Sequence, residues 1–82
     1  MDAKTQIPGW LTEPYRKVLV AFKRMGGRGS IADVRKAANV KAGDRYAKRL
    51  VAAGFFWHQP TDYYGLTPEG YAMANTLIGI GY

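Results

Sequence analysis

The sequence contains no cysteine and a single histidine, and these two shortages exclude several kinds of site. Without thiols the chain can form neither a disulfide nor a thiolate metal site. His58 would need nearby carboxylates to complete a zinc site, and the six acidic residues are dispersed. No nucleophile is placed beside a base and an orienting group. We therefore predict no metal, no cofactor and no enzymatic activity.

Long apolar runs are also lacking. No segment approaches the roughly 20 apolar residues of a membrane span, and the opening residues "MDAKTQIPGW" have none of the features of a signal peptide. We expect a cytoplasmic protein, associated with a nucleoid or inside a host cell if viral, with no membrane partner. At 82 residues and 48% apolar composition, one small folded domain over residues 12–82 is expected, preceded by an arm over residues 1–11.

Basic residues are absent from residues 50–82. Eleven of the twelve Lys and Arg lie in residues 16–49 together with two acids, which gives that segment a net charge of +9 against +6 for the whole chain. Basic residues that merely keep a small domain soluble would be scattered. This segregation instead favours a surface that binds a polyanion, with nucleic acid the foremost candidate.

Helix-start signals and apolar periodicity predict four helices. Thr12 and Pro14 begin the first, and a capping-box-like pair, Ser30 and Asp33, begins the second. The third runs to about residue 53 and begins either after Asp44 as its cap or near residue 41. Thr67 and Pro68 begin the fourth. The cluster "GGRG" (26–29) lacks the spacing of a phosphate-binding loop and is interpreted as a flexible turn.

The same patterns assign residues to the interior. In the third helix Tyr46, Ala47 and Leu50 are predicted to face inward, with the basic residues outward. Asn39 is predicted to adopt a left-handed turn conformation, with Val40 buried after it. "FFWH" and "YYGLT" predict a hairpin with Pro60 and Asp62 in its turn. The predicted apolar stripe of the last helix consists of Tyr71, Ala74, Leu77 and Ile78.

The segments "IADVRKAANVKAGDRYAKRLVAAGFF" and "YYGLTPEGYAMA" carry a resemblance to a known fold. The run Leu50…Gly54-Phe55-Phe56, a hairpin, and then Leu66-Thr67-Pro68-Glu69-Gly70 is similar to transcriptional regulators of the MarR and PadR kind. The resemblance covers about residues 13–78. It implies a mainly α fold with a small β-hairpin, the winged helix-turn-helix.

The resemblance also implies a function and its residues. Residues 41–53 would form a recognition helix in the major groove of double-stranded DNA, with Arg45 and Lys48 as the expected contacts to base edges. Asp44 would cap this helix or accept from a cytosine amino group. Further DNA contacts, chiefly to phosphates, are expected from the remaining basic residues of this part of the chain, namely Lys41, Arg49, Arg35, Lys36 and Arg28.

The sequence departs from that family in three respects. The wing "WHQPTDYYG" has no Lys or Arg, so it is either structural or reaches phosphates through His58, Gln59 and Thr61. Lys41 and Gly43 stand where small hydroxyl residues are common in the turn. The long dimerisation helices of the family are missing, so a homodimer would use the last helix, the N-terminal arm or exposed aromatics (Trp10, Trp57 and Tyr82).

Two other functions stay open from the sequence. The aromatic wing, with Trp57 and Tyr63, suits a protein-interaction module, although these rings could equally complete a small core. Structured RNA or non-specific DNA compaction would also use the basic face. The interpretation that we favour is a small regulator, repressor-like, of a prokaryotic, archaeal or viral genome.

Overall fold

The fold of residues 7–39 and 43–82 is described by a computed structural model. The elements follow the order α1 (Glu13–Arg24), β1 (Arg28–Ser30), α2 (Ile31–Ala38), α3 (Gly43–Ala52), β2 (Phe56–Gln59), β3 (Tyr63–Leu66) and α4 (Pro68–Gly79). The predicted mainly α fold with a hairpin before the last helix is confirmed. The short strand β1 is an addition to the predicted order.

Strand β1 corrects the interpretation of "GGRG" as a simple flexible turn. Gly26 and Gly27 do turn the chain, with φ of +95° and +93°, which glycine adopts without the cost a side chain would impose. The chain then runs straight into β1, which pairs antiparallel with β3, placing Arg28 opposite Gly65. The Leu66 N–H donates to the Gly27 carbonyl at 2.7 Å. The result is a three-stranded sheet in the order β1-β3-β2.

Helix α2 begins and ends as its sequence predicts. The Ser30 N–H donates to Asp33 Oδ2 at 2.8 Å, which is the predicted return contact of a capping box. The helix ends at Asn39, whose φ of 57° and ψ of 45° are left-handed. The predicted burial of Val40 lies outside the described residues.

The hairpin of β2 and β3 has the predicted turn. Gln59 pairs with Tyr63, so residues 60–62 form a three-residue connection, and Asp62 has a left-handed φ of 57°. Such a connection commonly ends on a left-handed residue. The Asp62 carbonyl accepts the Ile31 N–H at 3.1 Å, which fixes the hairpin tip against the start of α2.

The connections on either side of the hairpin meet each other. Helix α3 ends in a Schellman motif, because the Phe55 N–H donates to the Leu50 carbonyl and Gly54, at φ +86°, donates to the Val51 carbonyl. Thr67 then caps α4: its Oγ1 accepts the Gly70 N–H at 3.0 Å and donates to the Gly54 carbonyl at 2.5 Å. One side chain thus ties the end of α3 to the start of α4.

The core lies between the four helices and the inner face of the sheet. Its largest fully buried side chains are Phe22, Leu11, Leu19, Leu50, Met73, Leu77, Val18 and Val34. The predicted stripe of α4 was partly wrong. Gly70, Met73, Ala74 and Leu77 are buried, whereas Tyr71 and Ile78 are 37% and 36% exposed. Across the described ranges, no helix has the length and apolar character needed to cross a bilayer.

Candidate nucleic-acid interface

Helix α3 presents one basic face, opposite the face that holds it on the core. Ala47 and Leu50 are fully buried, and Tyr46 packs against the core cluster, as predicted. Arg45, Lys48 and Arg49 are all exposed on the other side. Arg45, Lys48 and Arg49, which are three and four positions apart, therefore place three positive charges on one solvent-facing surface, which we call the α3 face.

Gly43 sets how closely α3 approaches α2. A Cβ at this position would lie 2.6 Å from Arg35 Cγ and 3.1 Å from the Arg35 backbone nitrogen. Gly43 is buried, so this contact has no room to open without separating the helices. Gly43, which stands where the family commonly has a small hydroxyl residue, is thus required for the close packing of α2 against α3.

Asp44 lies within the first turn of α3 rather than ahead of it, so its predicted role as the cap was wrong. Its Oδ1 is 3.4 Å from Arg35 Nη2, and both side chains are largely exposed, at 64% and 47% respectively. An exposed pair of this kind stabilises by about 0–1 kcal/mol. A phosphate oxygen could therefore replace Asp44 as the partner of Arg35 at little cost.

A groove separates the α2–α3 pair from the hairpin. It has a volume of about 450 Å³. Its walls carry two of the predicted site residues and both acidic side chains of this region, along with aromatic and aliphatic groups: Ile31, Arg35, Asp44, Lys48, Val51, Ala52, His58, Asp62 and Tyr64. Arg35 and Lys48, which are thirteen positions apart in the sequence, are thus brought to one cleft.

The hairpin side of the groove is held by a small polar cluster. His58 stacks on Tyr64 with ring centroids 4.5 Å apart, and its Nε2 is 3.7 Å from Asp62 Oδ1. Burial raises the pKa of the Tyr64 hydroxyl, and the negative charges of Asp62 and Asp44 raise it further. A tyrosine hydroxyl is neutral at physiological pH even at its ordinary pKa, so Tyr64 adds no negative charge beside Lys48.

Arg49 occupies the opposite flank of the α3 face. Its guanidinium carbon lies 4.4 Å from the centroid of the Trp10 ring, within the range of a cation–π interaction. Trp10 is itself fixed by Tyr15, edge-on at 5.2 Å, and by Phe55, stacked at 6.2 Å. Sequence reasoning missed this contact, since no periodicity relates the segment before α1 to α3.

The other predicted site residues lie elsewhere. Lys36 is exposed on the side of α2 that borders Met25 and Ala21 of the α1 end, away from the groove. Arg28 is exposed on β1, at the sheet edge opposite β2. Lys41 is outside the described residues. The six predicted residues that the structure describes therefore form one compact set of four (Arg35, Arg45, Lys48 and Arg49) and two separate outliers.

Comparison with known proteins identifies the scaffold. No protein-family model matches the chain, and no curated protein does. Among solved structures, BpsR of Bordetella bronchiseptica superposes with a TM-score of 0.72 and 29% sequence identity over 89% of this chain. The chain is a winged helix-turn-helix domain, similar to MarR-type regulators. The predicted resemblance is confirmed, with α2 and α3 as the helix-turn-helix and β2–β3 as the wing.

The comparisons also show that this fold does not by itself define a function. This winged helix spans 61% of the length of BpsR, a protein whose DNA binding is regulated by 6-hydroxynicotinic acid. It also resembles the O-methyltransferase NcsB1 of neocarzinostatin biosynthesis, solved with S-adenosyl-L-homocysteine, at a TM-score of 0.57 and 30% identity. That match covers 76% of this chain and 22% of the enzyme. Because the same fold forms part of an enzyme, function has to be argued from surface side chains.

Proposed function

We propose that this winged helix binds double-stranded DNA through the α3 face and acts as a transcriptional regulator. The observation that carries the proposal is the exposed trio Arg45, Lys48 and Arg49 on a helix whose other side is anchored by Ala47 and Leu50. An α-helix fits the major groove, and Arg or Lys can donate to guanine O6 and N7 there. The likeness to BpsR, a protein with regulated DNA binding, supports the same function.

The geometry favours a division of roles on this surface. Arg45 and Lys48 project from α3 itself and are assigned to base edges. Arg35 and Arg49 stand on its two flanks, one beside Asp44 and one on Trp10, and are assigned to phosphates. Lys36, Arg28 and Lys41 are retained as weaker phosphate contacts. Such contacts fix register, and base contacts give sequence preference.

The first experiment is fluorescence anisotropy with a labelled random duplex, titrated across salt concentration. We expect a log–log slope of about −0.9 for each phosphate neutralised. A preferred site is then selected, and Arg45→Ala is compared with Arg24→Ala. Arg24 is a matched control for charge because its guanidinium is bound to the Tyr82 carbonyl at 2.8 Å, outside the α3 face.

The two variants separate the alternatives. Sequence-specific binding predicts that Arg45→Ala weakens the preferred site by about 1–3 kcal/mol and random DNA far less, with Arg24→Ala close to wild type on both. Equal losses on every sequence would indicate non-specific DNA or RNA binding. If no duplex binds even at low salt, the proposal is wrong, and a protein partner at Trp57 and Tyr63 becomes the hypothesis to test.

A homodimer is the second part of the proposal. Helix α4 and the residues after it expose Tyr71, Ile78 and Ile80, the last at 58%, and an apolar surface of this kind suits a second copy. A dimer on a palindrome would place its two α3 helices about 34–36 Å apart. Sedimentation analysis of wild type and Ile78→Glu tests this: a dimer that Ile78→Glu dissociates supports it, and a monomer at all concentrations contradicts it.

A further inference from the structure

The wing sheet has a second face, and Arg28 is its one residue to which a duplex contact was assigned above. Directly paired residues project to the same side of a sheet. The register pairs Arg28 with Gly65 and Gly65 with Trp57, and one step away it pairs Ser30 with Tyr63 and Tyr63 with Gln59. These six residues form what we call the outer face. The other side carries the buried Phe56, Tyr64 and Leu66 and faces the core.

Trp57 lies on the outer face without being part of the core. It is absent from the side chains that pack on the core cluster, and instead its indole covers Gly65. A Cβ at residue 65 would lie 1.9 Å from Cζ2 and 2.1 Å from Cε2 of that indole. The ring therefore occupies the space above Gly65, and residue 65 must be glycine to receive it. The indole has the Gly65 backbone on one side, and the residue as a whole is half-buried.

Tyr63 extends this surface. Its ring centroid is 6.5 Å from that of Trp57, with the planes inclined at 41°, and the residue is 36% exposed. Two adjacent aromatic rings on an open sheet, neither needed for the core, form a stacking surface. Bases that are not paired in a duplex stack on such surfaces irrespective of their sequence.

The charges around the outer face are complementary to a nucleic-acid backbone. Its one ionised side chain is Arg28, exposed at the β1 edge. Asp62 is turned to the other side of the sheet, toward His58. Asp33, next to the Ser30 corner, accepts the Ser30 N–H at 2.8 Å and its hydroxyl at 3.2 Å. The outer face thus combines the exposed ring of Tyr63 and the half-buried ring of Trp57 with one positive side chain, Arg28, at its edge.

We propose that the outer face binds single-stranded DNA, with unpaired bases stacked on Trp57 and Tyr63 and a phosphate held by Arg28. Duplex DNA does not fit this surface because its base faces are already stacked on each other. The proposal is for DNA rather than RNA, because Gln59 and Ser30 are the only polar side chains of the face not assigned to bases or phosphate, and the Ser30 hydroxyl already donates to Asp33, so little remains to recognise a 2′-hydroxyl. This activity is separate from the duplex binding proposed for the α3 face and does not depend on it.

The test uses the full chain and a labelled oligothymidylate, which forms no duplex. In a Trp10→Phe background Trp57 is the one remaining tryptophan, since the sequence has two. We expect the oligonucleotide to quench Trp57 fluorescence. We also expect Trp57→Leu to weaken oligothymidylate binding roughly 5- to 160-fold, the range for loss of one stacked base, with duplex binding retained.

Two controls keep the test decisive. Arg45→Ala should leave oligothymidylate binding near wild type, since α3 lies on the other side of the sheet. Tyr63→Leu is the alternative variant if Trp57→Leu fails to fold, because it leaves the Trp57–Gly65 contact in place. It should also weaken oligothymidylate binding. The proposal is overturned if the oligonucleotide does not quench Trp57 fluorescence, or if Arg45→Ala and Trp57→Leu lose equal affinity for it. Tighter binding of the matching RNA would also overturn it. So would a Trp57→Leu variant that changes its oligomeric state but binds the oligonucleotide normally.

Discussion

Replacing Gly70 by alanine should destabilise the protein, although the same change favours helices in general. Gly70 lies in the first turn of α4 and is buried. A Cβ there would be 2.1 Å from the Phe55 carbonyl oxygen and 3.0 Å from Leu66 Cδ2. The first of these neighbours is backbone, which cannot rotate away as the end of a side chain can. The helix would have to move.

The size of the effect follows from what that movement disturbs. The Phe55 carbonyl also accepts the Thr67 N–H at 3.0 Å, and the Gly70 N–H donates to Thr67 Oγ1 at 3.0 Å. Overpacking costs about 1–3 kcal/mol, and each weakened hydrogen bond adds up to about 1 kcal/mol. The gain in helix propensity is at most about 1 kcal/mol. We expect a net loss of roughly 2–4 kcal/mol in the free energy of unfolding.

Gly79→Ala is the matched control. Gly79 is in the same helix and has no atom within 4 Å of the position its Cβ would take, so alanine there should be neutral or stabilising. Urea unfolding followed by circular dichroism gives the free energy of unfolding of both variants, and thermal unfolding followed by the same signal gives their melting temperatures. The melting temperature of Gly70→Ala should fall by roughly 8–32 °C, since 1 kcal/mol corresponds to about 4–8 °C in a domain of this size. If Gly70→Ala is as stable as Gly79→Ala, the close-packing argument is refuted.

Three further experiments test the end of α2, the cap of α4 and the contact between Arg49 and Trp10. Asn39→Gly should alter stability by less than about 0.5 kcal/mol, whereas Asn39→Val should cost about 1–2 kcal/mol because φ of 57° strains a branched side chain; equal effects in urea unfolding would contradict this. Thr67→Val should cost about 1–2 kcal/mol through loss of the α4 cap, and an unchanged unfolding midpoint would exclude that role. A double-mutant cycle of Trp10→Leu and Arg49→Gln should give a coupling of about 0.5–1 kcal/mol; zero coupling would show that the 4.4 Å contact contributes nothing.

The helices were predictable because their signals are local. A cap such as Thr67 and a left-handed residue such as Asn39 act within one turn of the chain, so the sequence contains the whole cause. Strand β1 was missed for the opposite reason. Its three residues, Arg28–Ser30, have no strand propensity of their own, and their pairing partner in β3 lies more than thirty positions away.

The buried face of α4 shows a second limit. Aromatic and branched residues suggested that Tyr71 and Ile78 face the core. The close approach at Gly70 instead turns the helix so that the small Gly70 and Ala74 lie inward with Met73 and Leu77. The Tyr71 hydroxyl reaches the Gly26 carbonyl at 3.4 Å, and its ring covers the glycine turn. Periodicity locates a helix well, but packing distance decides which of two adjacent stripes is buried.

The α3 face was predicted more completely than its surroundings, and the difference bears on function. The residues that face outward on a helix can be read from the spacing of its apolar residues alone. The contacts of Arg35 with Asp44 and of Arg49 with Trp10 depend on how three separate segments dock, which the helical period does not encode.

Within residues 7–39 and 43–82, neither Arg45 nor Lys48 lies within 4 Å of an acidic oxygen. Both can meet a base edge without giving up an ion pair, whereas Arg35 must exchange Asp44 for a phosphate and Arg49 must reach one from its place on the Trp10 ring. Sequence preference should therefore reside in Arg45 and Lys48, and the flanks should contribute mainly to salt dependence.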